Sequence, residues 1–413
     1  MSTDTTTTGD ATASPPTKPN LWRDSSFSAV LAGLIAVLVS YSGPLVIVLS
    51  AASAGGLTQA QTGSWVWAIS IGSGLTCLGL SLYTRMPIIT AWSTPGAALL
   101  VTSLGSYPYA EAVGAFVVTG VVITLVGVTG VFGRLMRRVP GAVVSAMLAG
   151  ILFSFGTGVF TSVKTEPWTA GGVLLAYLLA KRFLPRYAVL VALVVGVGCA
   201  AATSRLHVHI DTFEFARPEW TTPHFSVPAL IGIAVPLLVA TLASQNAPGM
   251  GVLAASGYAP NDRVLIGSTG AMSTLLAPFG SHAVNLAAIT AAICTGPEAH
   301  HDPRRRYVAG VSCGVFYLVV GMFGSTLVAL FAGLPTELVA AVAGVALFGA
   351  LANGLTGAMA DDEHREAAMI TFLATASGVT MWGIGSAFWG LIAGVLAHVV
   401  LSARPVSRRG WRP

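Results

Sequence analysis

Charged side chains are scarce in this sequence of 413 residues: only 9% are Asp, Glu, Lys or Arg. The 16 acidic residues all fall in the N-terminal stretch, in loops or near the ends of apolar runs, and none sits at the centre of one. A soluble surface needs far more charge. The buried carboxylate that often carries protons through membrane proteins is missing as well. The four cysteines (Cys77, Cys199, Cys294 and Cys313) lie in or beside apolar runs without metal-ligand spacing. They read as small core residues rather than a disulfide framework or a metal centre. No phosphate loop, nucleophile–base pair or zinc pattern is present, so neither an enzyme nor a cofactor or metal is expected. The basic residues form no face interleaved with aromatics, which sets nucleic acid aside despite a pI near 9.2. Residues 1–22 lack the apolar segment of a signal peptide and read as a disordered cytoplasmic tail rich in Thr, Ser, Pro and Asp.

What is abundant points one way. Apolar residues make up 54% of the chain and glycines number 47, the profile of an all-α polytopic membrane protein. The hydrophobic runs divide into 14 transmembrane elements, two of them broken, at 87–104 and 278–295. An even number puts both termini on one side. With that side cytoplasmic, 18 of the 21 Lys and Arg residues fall on it, and only Lys164, Arg205 and Arg217 on the other. The chain also repeats its order of elements. SYSGPLVIVLSAA at 40–52 aligns with SQNAPGMGVLAAS at 244–256, with 5 identities in 13, and each is followed by a loop, a helix and a broken element. Seven elements per half is an odd number, so the halves run in opposite orientations, as in an inverted repeat. The expected boundaries are a first repeat at 23–204, a periplasmic loop at 205–224, a second repeat at 225–403 and a cytoplasmic tail at 404–413.

Chemistry is expected at the broken elements. PIITAWSTPGAALL at 87–100 and PFGSHAVNLAAITA at 278–291 each begin β-branched, aromatic or polar and then turn small and apolar. Thr94 suits the cap of the first half-helix, with Pro95 in its first turn; Asn285 suits the cap of a second half-helix beginning at Leu286. Two half-helices starting in mid-membrane aim free N–H groups and positive dipole ends at one place, which makes an anion site of backbone. Secondary transporters build their sites this way. Ser93, Thr94, His282 and Asn285 are then expected to donate to the anion. The adjacent amides Gln245 and Asn246 are expected on the opposite wall, just before Pro248, which loosens its helix. Tyr41 and Ser42 are their repeat equivalents before Pro44. His282 is the only histidine inside a broken element. Tyr and Cys apart, it is the only titratable side chain beside the proposed site, and so the expected proton carrier. Trp92 and Phe279 read as packing aromatics.

Four stretches resemble the benzoate–proton symporter (BenE-like) family: RDSSFSAVLAGLIAVLVSYSGPLVIVLSAA at 23–52, AWSTPGAALL at 91–100, ASQNAPGMGVLAASGY at 243–258 and PFGSHAVNLAAITAAICTGPEAHHDPRRRY at 278–307. The resemblance extends over residues 23 to 402. It implies a seven-plus-seven inverted-repeat fold similar to nucleobase and anion transporters. In that fold a core domain, elements one to four and eight to eleven, moves against a gate domain, elements five to seven and twelve to fourteen. It further implies proton-coupled import of benzoate or a similar aromatic carboxylate across a bacterial inner membrane, and a homodimer through the gate. Nucleobase relatives place a carboxylate in the eighth and tenth elements. Here Gln245, Asn246 and the segment SHAVN stand instead, which suits an anionic substrate that a buried carboxylate would repel. A nucleobase, another monocarboxylate or an inorganic anion is the alternative cargo of the same fold.

Overall fold

The computed structural model describes residues 21–134, 141–206, 215–297, 299–381 and 386–402. Most of the tail expected at 1–22, the tail at 404–413 and part of the 205–224 loop thus lie outside the described residues. After a short turn at Leu21–Asp24, the first half holds α1 (Phe27–Ala54), α2 (Gln59–Thr84), β1 (Thr90–Trp92), α3 (Thr94–Ser103), α4 (Tyr109–Thr129), α5 (Gly141–Thr165), α6 (Pro167–Phe183) and α7 (Ala188–Ala202). The second half holds α8 (Val227–Ala255), α9 (Asp262–Leu276), β2 (Val284–Leu286), α10 (Ile289–Thr295), α11 (Tyr307–Met322), α12 (Gly324–Ala332), α13 (Thr336–Met359), α14 (Arg365–Ala376) and α15 (Ser386–Ser402). Among the described residues six helices are long and apolar enough to cross a membrane (α1, α2, α4, α5, α8 and α13). The pair α11 and α12, bent by 69° near Phe323, makes a seventh.

Helices begin where the sequence supplies caps. Ser26 accepts from Ala29 N (3.2 Å) ahead of α1, and Thr58 and Gln61 form a reciprocal capping box ahead of α2. Asn261 Oδ1 takes the N–H groups of Arg263 and Val264 ahead of α9. α8 contains two widened π turns, Leu230–Ala234 and Leu242–Asn246, each ending two residues before a proline, Pro236 or Pro248. A proline removes one helix hydrogen bond and crowds the preceding turn, and the wider turn absorbs both effects. The loosening expected at Pro248 therefore takes a definite form.

The two broken elements meet in a way the helix patterns do not disclose. Their leading halves are extended and pair antiparallel, with Thr90 opposite Leu286, Ala91 opposite Asn285 and Trp92 opposite Val284. Unwound backbone at membrane depth must have its polar groups satisfied by protein. Side chains of the neighbouring helices complete the pairing. Ser81 Oγ accepts from Ile88 N and donates to Ile88 O, both at 3.1 Å. Ser273 Oγ does the same for Val284 (2.8 and 3.2 Å), and Asn246 Oδ1 accepts from Leu286 N (2.9 Å). Thr90 is held by Thr76 and by the Cys77 thiol, its N–H donating to Sγ at 3.1 Å.

Packing falls into two groups. In one, α2 lies on α11 and α12, α4 on α9, and α1 on α3, α10 and α11. In the other, α5 lies on α13 and α14, α6 on α7, and α14 on α15. The α4–α9 contact is close enough that a Cβ on Gly127 would stand 2.2 Å from Gly267 N. Glycine is required there.

Candidate functional site

A cavity of about 460 Å³ lies between the two groups, within the span of about 300–1,000 Å³ usual for small-molecule sites. One wall comes from Ser40, Pro44 and Ile47 of α1, Trp92, Thr94 and Pro95 at the β1–α3 junction, Gln245 of α8, and Ala287, Ala288, Thr290 and Ile293 around the start of α10. The opposite wall comes from Leu152 of α5, Tyr177 and Lys181 of α6, Val189 of α7 and Val345, Ala346 and Leu347 of α13. Most of this lining is aliphatic. Lys181, among the described residues, is its one charged side chain.

Both half-helices start at this cavity, though not as the sequence suggests. Ser93, not Thr94, caps α3, its Oγ accepting from Gly96 N at 3.1 Å. Thr94 is the first helical residue, Pro95 the second, and Thr94 lines the cavity. Either residue has the hydroxyl a cap needs, and proline fits either of the first two positions. Asn285 caps nothing. It sits in β2, and α10 begins three residues beyond the expected Leu286, at Ile289. The cap position of α10 is Ala288, which offers no side-chain hydrogen bond. The N–H groups of the first turn therefore have no partner within the helix, and Ala288 and Thr290 line the cavity.

Of the expected site residues, the structure brings Thr94 and Gln245 to the cavity. Ser93, Asn246, His282 and Asn285 are fully buried behind its wall, and their side chains bond mainly to backbone groups of the strand crossing and of the start of α3. His282 Nδ1 accepts from the Trp65 indole N–H (3.1 Å), and Nε2–H donates to Ser93 O (2.9 Å). Both ring nitrogens are thus engaged, and the neutral tautomer is the one that satisfies both partners. Ser93 Oγ also accepts from Thr241 Oγ1 at 3.2 Å. Asn285 accepts from Ser93 N (3.0 Å) and donates to Leu286 O (2.9 Å). These four residues fix the strand crossing rather than line the cavity. Tyr41 is buried too, donating to Ser70 Oγ at 2.5 Å with its ring edge-on to Trp92 at 5.4 Å. Ser42 lies in α1, and its side chain is outside the described residues.

The lining includes residues the sequence reading leaves out: Ser40, Thr290, Tyr177 and Lys181, with Trp92 a wall residue as well as a packing one. Ser40 opens the repeated SYSGP stretch and Thr290 lies in the second broken element, so both had a signal. Tyr177 and Lys181 had none, because nothing local says that α6 faces the half-helices. Two buried donors, Trp92 Nε1 and Asn246 Nδ2, lack a hydrogen-bond partner among the described residues. A wall that is aliphatic, carries the hydroxyls of Thr94 and Thr290 and contains no carboxylate is suited to an apolar molecule with one anionic group.

Residues 23–400 match the family described as benzoate membrane transport protein, BenE. The inner membrane protein YdcO of Escherichia coli (strain K12) is 43% identical over 373 residues, 90% of this chain and 95% of that protein. A benzoate membrane transport protein of Acinetobacter baylyi is 42% identical over 381 residues, 92% of this chain and 97% of that one. Among solved structures, the transmembrane domain of a cyanobacterial bicarbonate transporter, BicA, superposes with a TM-score of 0.57 at 15% identity, over 89% of this chain and 97% of that one. SLC26A9 superposes with a TM-score of 0.58 at 14% identity, over 90% of this chain and 65% of that one. At such identities these two structures speak to the fold alone.

Proposed function

The chain belongs to the benzoate membrane transport family, a family of multi-pass membrane transporters and not of enzymes, and from that premise we propose that it imports benzoate, or a closely related aromatic carboxylate, by proton symport across a bacterial inner membrane. The observation that carries the reading is the uncapped start of α10 opening, with Thr94, onto an aliphatic cavity. The carboxylate lies against Thr94, Thr290 and the first-turn N–H groups of α10. The ring lies among Ile47, Trp92, Leu152 and Val345. A bound anion gains from donors that are already in place and from the half-helix dipoles, which a neutral nucleobase uses less well.

The two packing groups serve as core and gate. The cavity sits between them, so their relative movement opens it to one side and then the other. The antiparallel relation of β1 and β2 supports an inverted repeat. Lys181 and Pro185 line the cavity next to the 183–188 connection, which the charge distribution assigns to the cytoplasm; on this reading the cavity is reached from the cytoplasmic side. Both termini are cytoplasmic, and two copies associate through the gate.

His282 carries the coupling proton, under a condition set by its neighbours. A second proton on Nδ1 would face the Trp65 N–H, so proton uptake requires Trp65 to withdraw, which frees α2 from the β2 approach. Substrate class is tested by competition. Exchange of labelled benzoate in membrane vesicles is expected to fall with unlabelled benzoate and its close analogues, and not with uracil or bicarbonate. Equal competition by the last two would transfer the site to the alternative cargo.

A further inference from the structure

We infer that Lys181 is a second anion-recognition point of the transporter, serving the cytoplasmic mouth of the cavity; this rests on the carboxylate-transport reading above. Lys181 lines the cavity, is exposed, and among the described residues no carboxylate pairs with it. The neighbouring Arg182 is turned elsewhere, its guanidinium over the Phe183 ring at 5.7 Å. Lys181 follows Tyr177 by one helical turn, on the same face of α6. Tyr177 also lines the cavity and packs edge-on to Phe348 of α13 at 5.8 Å. The ammonium is therefore carried by the α6–α13 group, while Thr94 and Thr290 belong to the half-helices.

The placement has a directional consequence. A cation at a cavity mouth concentrates anions there and is screened by salt. Once the cavity closes to the cytoplasm and opens to the other face, Lys181 no longer stands at the entrance. It should then govern apparent affinity from the cytoplasmic side and leave the periplasmic side nearly untouched. A purely structural lysine would alter both alike.

The experiment compares inside-out with right-side-out vesicles. In the first, Lys181→Gln is expected to raise the half-saturating benzoate concentration about fivefold and to flatten its dependence on ionic strength, while Lys181→Arg restores both. In right-side-out vesicles the half-saturation stays within about twofold of wild type. Lys181→Cys, modified in the assembled membrane by a cationic or an anionic thiosulfonate, keeps the test independent of folding: the cationic group restores affinity and the anionic one lowers it further. Unchanged cytoplasmic half-saturation in Lys181→Gln, or equal effects on both faces, overturns the inference while leaving benzoate transport standing. Wild-type vesicles without saturable benzoate transport overturn the functional reading and this inference with it.

Discussion

Ser93 and Thr94 are chemically close and do different work. Ser93 Oγ spends itself on Gly96 N and Thr241, while Thr94 leaves its side chain to the cavity. Ser93→Ala is expected to cost about 0.5–2 kcal/mol, the usual loss for a helix cap, and to lower the melting temperature in detergent. Thr94→Val is expected to leave the melting temperature nearly unchanged and to weaken benzoate binding about tenfold, as for a lost hydrogen bond to a charged group. Calorimetric binding and thermal unfolding of the two variants separate these outcomes. If Thr94→Val binds normally, the carboxylate is elsewhere. The sequence placed a capping hydroxyl here and erred by one residue, since Ser, Thr and the following proline satisfy the same rules in either register.

At the scale of elements, the broken stretches were legible and their crossing was not. A proline, a polar cluster and a small-residue run mark each half-helix locally. Strand pairing depends on a partner in the other half of the chain, and the three-residue strands carry no alternation long enough to read. That is why Asn285 looked like a cap, and why Asn246 and His282 looked like ligands: all three are polar residues at depth, and the strand crossing absorbs them. The amide pair on α8 follows from this division. Asn246→Leu leaves Leu286 N–H unpaired in the interior, at a cost of about 1–3 kcal/mol, and is expected to lower stability clearly. Gln245→Leu changes a wall residue, so it is expected to change benzoate affinity with little effect on unfolding. The reverse pattern would mean that the two amides had been assigned the wrong way round.

For the molecule as a whole, composition and charge distribution reached furthest. They indicated a multi-pass membrane protein, because that rests on summed residues rather than on any single contact. The cavity itself was beyond them, since its far wall comes from α6 and α13, which approach the half-helices only once both groups are packed. Orientation is checked by labelling. Cysteines introduced at Thr222 and Asp362, both exposed, with Cys199→Ser as background, are expected to react with an impermeant thiol reagent from the periplasm and from the cytoplasm respectively. Labelling of both from one face would break the assignment.

In the proposed mechanism a proton gradient drives benzoate inward through this protein. The direct measurement is uptake of labelled benzoate by purified protein in liposomes, acidic outside and buffered alkaline inside, against protein-free liposomes that report passive entry of the undissociated acid. Proton symport predicts saturable accumulation above the protein-free level, abolished when an ionophore collapses the gradient. It also predicts that His282→Gln keeps benzoate exchange and loses accumulation. A wild-type flux indifferent to the gradient would contradict proton symport, and accumulation retained by His282→Gln would remove His282 as the carrier.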